Sequence, residues 1–222
     1  TGSYHNYRDS DIENYKLAAE ELTKVGYYVV RMGAHVNKSL ECNSPKVIDY
    51  ATNGMRSDFM DVYLTSICEF VISTGNGGDA LPVMCFRKPC VFVNYLPIMD
   101  LFPPRPNSIS ITKHHFSSIK NKNLTFKEII SIDVGDCLSS DCFEQKGVIL
   151  IENTPEEICD ISIEMAQKLS DSWKPMNIDK SLQTKFWDIF KNHKSFNDKI
   201  HYEKIKATFG SNFLRDNAWW LE

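Results

Sequence analysis

The sequence predicts an α/β fold with a doubly wound parallel sheet. Short β-rich runs at residues 27–32, 70–74 and 90–94 are each bounded by glycine or polar residues, as buried strands are. An amphipathic helical pattern at residues 11–25 precedes the first run, and another at residues 58–69 lies between the first and second runs. This alternation is typical of βαβ units. Ligands of such sheets bind outside the carboxyl ends of the strands, so the residues after each run are candidates for a site.

Composition narrows the class of protein. The chain has 222 residues, of which 42% are hydrophobic and 12% aromatic, enough for a sizeable core. Its 25 basic and 29 acidic residues give a net charge of −4, which argues against a nucleic-acid partner but not against a small anion. No apolar run approaches the roughly 18 residues of a membrane span, while peripheral membrane association stays open.

The seven cysteines are expected to be thiols in a reducing cytoplasm, which makes the predicted location cytoplasmic. Cys68, Cys85 and Cys90 fall in apolar segments, where cysteine behaves as a small core residue. Cys137 and Cys142 have no second pair at zinc-site spacing, so no metal site is expected.

A glycine-rich turn after the run at 70–74 is the strongest candidate for a binding site. Three glycines in four positions let a ligand approach the backbone, and a helix of about two turns is expected from Asp79. The amide end of such a helix attracts phosphate. A tight turn that binds nothing is the alternative. The turn comprises Thr74, Gly75, Asn76, Gly77, Gly78 and Asp79.

Gly75, Gly77 and Ala80 also match the Gly-x-Gly-x-x-Gly/Ala dinucleotide fingerprint. A nicotinamide site needs an acidic residue at the end of the next strand to hold the ribose hydroxyls. That strand ends in Asn94, so nicotinamide binding is disfavoured and no resident cofactor is expected.

Two arginines are candidates for contacts with phosphate, because a guanidinium fork suits its oxygens. Arg31 is the better candidate, since it lies at a strand end with Gly33 after it, and Arg8 is the weaker one. The alternative for each is a surface arginine paired with a nearby acid. Asp9 and Asp11 form an Asp-x-Asp pattern, but polar residues precede them, and a helix cap explains the pair better than a divalent metal does.

The second half of the chain carries fewer chemical signals. The helix after Thr154 is the most strongly predicted element, with a threonine cap, Pro155 at its first position and Glu157 at its third. We divide the chain into a domain at 1–175 and a C-terminal helical extension at 176–222 that packs back on it. The other predicted elements are a proline-rich loop at 95–107, strands at 109–112 and 147–151, a helix at 126–132, an irregular segment at 133–147 and a helix at 179–195.

Five segments together resemble a family of little-characterised bacterial glycosyltransferases, and the likeness covers most of the chain. The segments are Tyr7-Arg8-Asp9-Ser10-Asp11-Ile12, Val30-Arg31-Met32-Gly33, residues 75–82 with Lys88-Pro89, Asn153-Thr154-Pro155-Glu156-Glu157-Ile158, and residues 213–221. The phosphate turn recurs across GT-B glycosyltransferases and sugar-nucleotide epimerases. The Arg-Met-Gly motif and the tryptophan-rich end are more particular to the family.

The resemblance implies a GT-B fold of two Rossmann-like domains, of which this chain resembles the C-terminal, donor-binding one. It also implies that an upstream acceptor domain is missing from the sequence. Gly75, Gly77 and Gly78 would then lie under the donor diphosphate, and Arg31 near its phosphates. Many GT-B sites carry a glutamate a turn into the phosphate helix; here Asp79 is the nearby acid, and it either touches sugar hydroxyls or caps the helix.

The resulting hypothesis is metal-independent transfer of a sugar from a nucleotide-diphosphate donor to a glycan or other hydroxyl acceptor, as in polysaccharide biosynthesis. The expected catalytic residues are Arg31 and Asp79. The expected nucleotide-sugar contacts are Arg8, Gly33, Thr74, Gly75, Asn76, Gly77, Gly78 and Asn94. The alternatives are a sugar-nucleotide epimerase and a nucleotide-binding module without catalysis.

Overall fold

The computed structural model describes residues 3–75, 77–100, 108–193 and 208–222, and has a mixed α/β fold with parallel sheets. Its strands are β1 (Val29–Val30), β2 (Val47–Ile48), β3 (Val71–Ser73), β4 (Cys90–Phe92), β5 (Ser108–Ser110), β6 (His114–Ser117), β7 (Lys122–Asn123), β8 (Val148–Ile151) and β9 (Thr208–Phe209). Its α-helices are α1 (Lys16–Lys24), α2 (Asp58–Ile67), α3 (Phe126–Ser131), α4 (Ser140–Gln145), α5 (Pro155–Leu169), α6 (Asn177–Lys191) and α7 (Ser211–Asp216). Asn76 and most of the proline-rich loop lie outside the described residues.

The main sheet has four parallel strands in the order β3-β4-β5-β9. Cys90 pairs with Val71 on one side and with Ser108 on the other, so β4 is central. All three residues of β4 are buried, which explains why its sequence is a continuous apolar run rather than an alternating one. The parallel strands predicted at 70–74 and 90–94 are therefore confirmed.

A second, two-stranded parallel ladder joins β1 and β2, with Val29 opposite Val47. Tyr27 and Phe70 lie just before β1 and β3, and their rings meet edge to face with centroids 5.5 Å apart. This contact places the start of β1 near the start of β3, the edge strand of the main sheet.

The strand predicted at 147–151 is confirmed as β8, but its place in a parallel sheet is wrong. It pairs antiparallel with β6, which also pairs antiparallel with β7. Burial alternates along β6, as expected for a strand with one face on the core. A separate antiparallel sheet therefore follows the main sheet directly after β5.

Aromatic rings hold the C-terminal helices on the rest of the protein. Phe126 of α3 stacks on Phe186 of α6 at 5.1 Å and on Trp220 at 4.8 Å. Phe209 of β9 contacts Phe186 at 4.4 Å. These side chains are 4% exposed or less and share one core with the parallel sheet and α5. Fully burying rings of this size stabilises the fold by about 2 kcal/mol each or more.

The predicted helices are confirmed with small shifts of their ends. α5 begins with a capping box in which Thr154 accepts from the Glu157 backbone N–H and Glu157 accepts from that of Thr154. The helix predicted at 179–195 spans Asn177–Lys191. The segment at 133–147 is not wholly irregular, because it contains α4, capped by Ser139.

The helix of about two turns expected after the glycine turn is confirmed as helical structure, but it is not an α-helix. A 3₁₀ turn at Gly77–Asp79 leads into a π-helical segment at Ala80–Cys85. Glycine is a poor helix former, and Pro82 has no backbone N–H to donate in the first turn. The Phe86 N–H instead reaches back five residues to the Leu81 carbonyl, at 3.2 Å.

Cys137 and Cys142 form a disulfide, so the expectation that all seven cysteines are thiols is wrong for this pair. The five remaining cysteines form no disulfide. The two sulfurs meet because α4 begins between Cys137 and Cys142 and turns the chain back. Among the described helices, none is long and apolar enough to cross a membrane.

Candidate functional site

The candidate site lies where the chain changes direction across the parallel strands. β1 pairs with β2, and the Tyr27 and Phe70 rings before β1 and β3 are in contact, from which we infer that β3 lies on the other side of β1 from β2. The loops that leave the carboxyl ends of β1 and β3 therefore run apart from each other. Such a switch point opens a crevice in which α/β proteins bind ligands. The Arg31 loop and the glycine turn are the two loops concerned.

Arg31 follows β1 directly, but its guanidinium is already engaged. Its Nη1 donates to the Lys38 carbonyl at 2.7 Å and to Asp49 Oδ2 at 3.1 Å. Both side chains of the ion pair are only 11% exposed. Arg31 therefore pairs with a nearby acid, which is the alternative that the sequence left open. The arginine holds the β1 and β2 loops together.

Asp49 is the functional neighbour that the sequence did not single out. Its Oδ2 also accepts from the Leu40 backbone N–H at 2.7 Å and the Thr52 hydroxyl at 2.6 Å. Burial raises the pKa of Asp49, but the bonds from Thr52, Leu40 and Arg31 outweigh it and hold the pKa below its usual value. The signal available was its position directly after the strand at 47–48.

Gly33 has φ of +156°, and a Cβ there would lie 2.7 Å from the Val36 side chain. The position therefore requires glycine for the course of the loop itself. It lies in the β1 loop, two residues after Arg31.

One part of the glycine turn is covered by a side chain, and another part is exposed to solvent. Gly75 has φ of +79°, and a Cβ there would meet the Tyr95 ring at 2.5 Å, so the ring covers this glycine. Gly77 and Gly78 are exposed, and a Cβ on Gly77 would meet nothing within 4 Å. Thr74 is half-buried. Among the described residues of the turn, Gly77 and Gly78 are therefore the exposed ones.

Asp79 lies inside the turn rather than facing solvent. It is 6% exposed, and its Oδ2 accepts from the Ser73 hydroxyl at 3.2 Å. The Ser73 oxygen in turn accepts from the Gly75 N–H at 3.1 Å. Asp79 does not cap the segment that follows it with its side chain. The chain of bonds from Asp79 to Gly75 braces the turn, which is a positioning role.

Asn94 is placed away from any crevice. It is fully buried at the end of β4, with φ of +53°, and its Oδ1 accepts from the Asn153 N–H. Arg8 lies in the N-terminal 3₁₀ turn, with its guanidinium carbon 5.1 Å from the centroid of the Tyr7 ring. The structure therefore does not bring Asn94 and Arg8 together with the glycine turn through any contact among the described residues.

The N-terminal segment closes the neighbouring part of the sheet edge, which sequence reasoning missed. Lys113, just after β5, is 4% exposed and donates to the Asp9 carbonyl at 2.5 Å. Glu152, just after β8, accepts from the Asp11 N–H at 3.0 Å and from the Asn14 side chain at 3.0 Å. Burial lowers the pKa of Lys113. The N-terminal segment therefore contacts the chain directly after β5 and directly after β8.

No group of three or more metal-ligating side chains occurs in the ranges that the structure covers. Gly77 and Gly78 offer backbone without side chains, and Arg31 lies on the loop across the switch point. This arrangement suits a phosphate-bearing ligand better than a metal ion. In the Asp9 and Asp11 pattern, Asp11 serves as a cap, as the sequence predicted. Its side chain accepts from the Glu13 N–H at the start of the 3₁₀ turn at Ile12–Tyr15.

Comparison with known proteins finds no match to this chain among protein-family models, curated proteins or solved structures.

Proposed function

We propose that this chain is the donor-binding domain of a glycosyltransferase that transfers a sugar from a nucleotide diphosphate. The observation that carries the proposal is the exposed pair Gly77 and Gly78 after β3, at the switch point beside the loop of Arg31. The resemblance of the Arg31 and glycine-turn segments to bacterial glycosyltransferases supports the same reading. On this proposal the fold is Rossmann-like, of the GT-B C-terminal type. A cytoplasmic location stays part of the proposal, but the Cys137–Cys142 disulfide removes the argument for it from free thiols.

The proposed chemistry is stabilisation of a departing diphosphate. A leaving diphosphate accumulates negative charge as the glycosidic bond breaks, and backbone N–H groups fixed in position stabilise that charge without reorganising. Glycines allow the closest approach of phosphate oxygens to such groups. The open space around Gly77 leaves room for this approach.

The roles of the two expected catalytic residues change. Asp79 is proposed to position the turn through Ser73 and Gly75 instead of contacting the sugar. Arg31 is proposed to act on the phosphates through the field of its guanidinium, while its ion pair with Asp49 fixes its place. The proposed binding residues are Gly33, Thr74, Gly77 and Gly78. Asn94 and Arg8 are not part of the proposed site.

A second candidate is a nucleotide-binding module without transfer chemistry. The burial of Asp79 favours it, because this carboxylate is not presented as a proton acceptor, and so does Arg31, because its guanidinium already donates to Asp49 and the Lys38 carbonyl. The two candidates share the binding site and differ in turnover. Release of free diphosphate from a nucleotide sugar that the chain binds distinguishes them.

The test is calorimetric titration of the chain with UDP and GDP, without and with magnesium. We expect binding of at least one diphosphate without metal. Gly77→Glu places a carboxylate in open space and should weaken that binding about tenfold or more by charge repulsion. The control Ile119→Glu adds the same charge at a side chain that is 79% exposed on the β6–β7 turn. Absence of binding, metal-dependent binding only, or equal effects of both variants would contradict the proposal.

A further inference from the structure

A groove of about 680 Å³ lies on the surface between α3 and α6. It does not include any residue of the candidate site described above. We call it the lysine groove. Its polar lining is supplied chiefly by Lys127, Asn177, Lys180, Lys185, Asp188 and Asn192.

The three lysines of the groove are exposed and lack an ion pair with any side chain in the described part of the protein. Among the lining residues that the structure describes, Asp188 is the acidic one against three lysines, so this part of the groove has a positive balance. By contrast, the nearby Lys120 shares Glu128 with another lysine. The charge of the groove is thus left for an external anion, although the chain as a whole is acidic.

The hydrogen-bond donors of the groove suit phosphate oxygens. The Ser181 and Thr184 hydroxyls, which also line it, already donate to the carbonyls of Ile178 and Lys180. The donors that remain are the lysine ammonium groups and the amides of Asn177 and Asn192. Lysine ammonium groups bind phosphate as point charges, with no fixed orientation.

Two exposed apolar side chains flank Asn177 of the groove along the chain, at the N-terminal end of α6. Met176 is 59% exposed and Ile178 is 51% exposed. The opposite face of α6 is fixed in the core by Phe186 and Phe190, which have no exposed surface. A free phosphate ion has no apolar part that could contact Met176 and Ile178. A lipid surface offers both anionic headgroups and an apolar interior.

We propose that the lysine groove docks the protein on a bilayer that contains anionic phospholipids. Lys127, Lys180 and Lys185 contact headgroup phosphates, and Met176 and Ile178 enter the boundary between headgroups and acyl chains. The net charge of −4 disfavours approach by other faces, so the groove also orients the protein. The inference does not depend on the proposed nucleotide site.

The first arm of the test is co-sedimentation with vesicles of phosphatidylcholine alone, or of equal parts phosphatidylcholine and phosphatidylglycerol. We expect binding to the anionic vesicles only, weakening as salt is added. The triple variant Lys127→Gln, Lys180→Gln and Lys185→Gln should bind roughly 100-fold more weakly, at about fivefold per lysine. The matched control replaces Lys16, Lys24 and Lys38, whose ammonium groups pair with acids elsewhere on the surface.

The second arm separates a bilayer from a free phosphate. The variant Met176→Ser with Ile178→Ser keeps every lysine, and it should also bind the anionic vesicles more weakly, by about tenfold. Inorganic phosphate should displace the protein only through its ionic strength. Binding to neutral vesicles, an equal loss in the control triple, specific displacement by phosphate, or binding of an acidic polypeptide in place of vesicles would overturn the proposal. Circular dichroism checks that each variant is folded.

Discussion

Asn94 and Asn153 lock the end of β4 to the end of β8 by a reciprocal pair of hydrogen bonds. The Asn94 N–H donates to Asn153 Oδ1 at 2.7 Å, and the Asn153 N–H donates to Asn94 Oδ1 at 2.6 Å. Neither residue is more than 1% exposed. The pair thus joins the parallel sheet to the antiparallel sheet through buried bonds, which water cannot replace.

Asn94→Ala should destabilise the protein by about 2–4 kcal/mol. It leaves the Asn153 N–H buried without an acceptor and places alanine at φ of +53°. Asn121→Ala is the control for the backbone alone, because Asn121 has φ of +50° and is exposed. Urea unfolding gives both free energies, and similar losses in the two variants would show that the hydrogen bonds contribute nothing.

His115 should make the fold sensitive to mild acid. Burial lowers the pKa of this histidine to about 4 from its usual 6.5, and the backbone of Lys113 opposes the shift only in part. The unfolded chain therefore takes up the proton first, and stability falls as pH drops from about 6.5 to about 4. The loss approaches about 3 kcal/mol at the lower end.

His115→Leu removes that contribution, so its stability should depend less on pH than that of the unchanged protein over this range. His5→Phe replaces an exposed histidine and serves as the control. Thermal unfolding at a series of pH values between 7 and 4 is the measurement. An unchanged slope in His115→Leu would contradict the assignment.

Arg31→Ala should cost about 3 kcal/mol of stability, since it leaves Asp49 almost buried and without its cation. Arg56→Ala breaks an ion pair with Asp61 whose side chains are about a third exposed, and it should cost less than about 1 kcal/mol. Chemical unfolding of both variants tests the difference. Equal losses would mean that Arg31 is not structural, and would return it to a purely ligand-binding role.

Thiol counting tests the disulfide. The unfolded protein, kept from reductant, should show five reactive thiols, because Cys137 and Cys142 are joined. Reduction should raise the count to seven. Closing so short a loop stabilises the fold by about 2 kcal/mol in the chain-entropy account, so Cys142→Ser should lower the free energy of unfolding by that amount. Seven thiols before reduction would contradict the pairing.

Local sequence signals predicted much of the fold, because they act within one element. The apolar run of β4 and the capping residues Thr154 and Glu157 are of this kind. The antiparallel sheet could not be predicted in the same way. β6 reads His114-His115-Phe116-Ser117, which lacks aliphatic β-branched residues, and its pairing with β8 depends on residues about 30 positions away.

The candidate site shows the same limit. The glycines of the turn could be identified because their chemistry does not depend on a partner. The contacts of Arg31 and Asn94 could not, because Asp49 lies 18 residues from Arg31 and Asn153 lies 59 residues from Asn94. A polar residue at a strand end serves either a ligand or a neighbouring loop, and only the packed structure distinguishes the two.

Amide chemical shifts measured during titration with UDP or GDP test the central claim most directly. We expect the largest changes at Gly33, Thr74, Gly77 and Gly78, on the two loops of the switch point. Gly77→Glu should suppress these changes. Changes confined to the lysine groove, or none at any concentration of either diphosphate, would contradict a diphosphate site at the ends of β1 and β3.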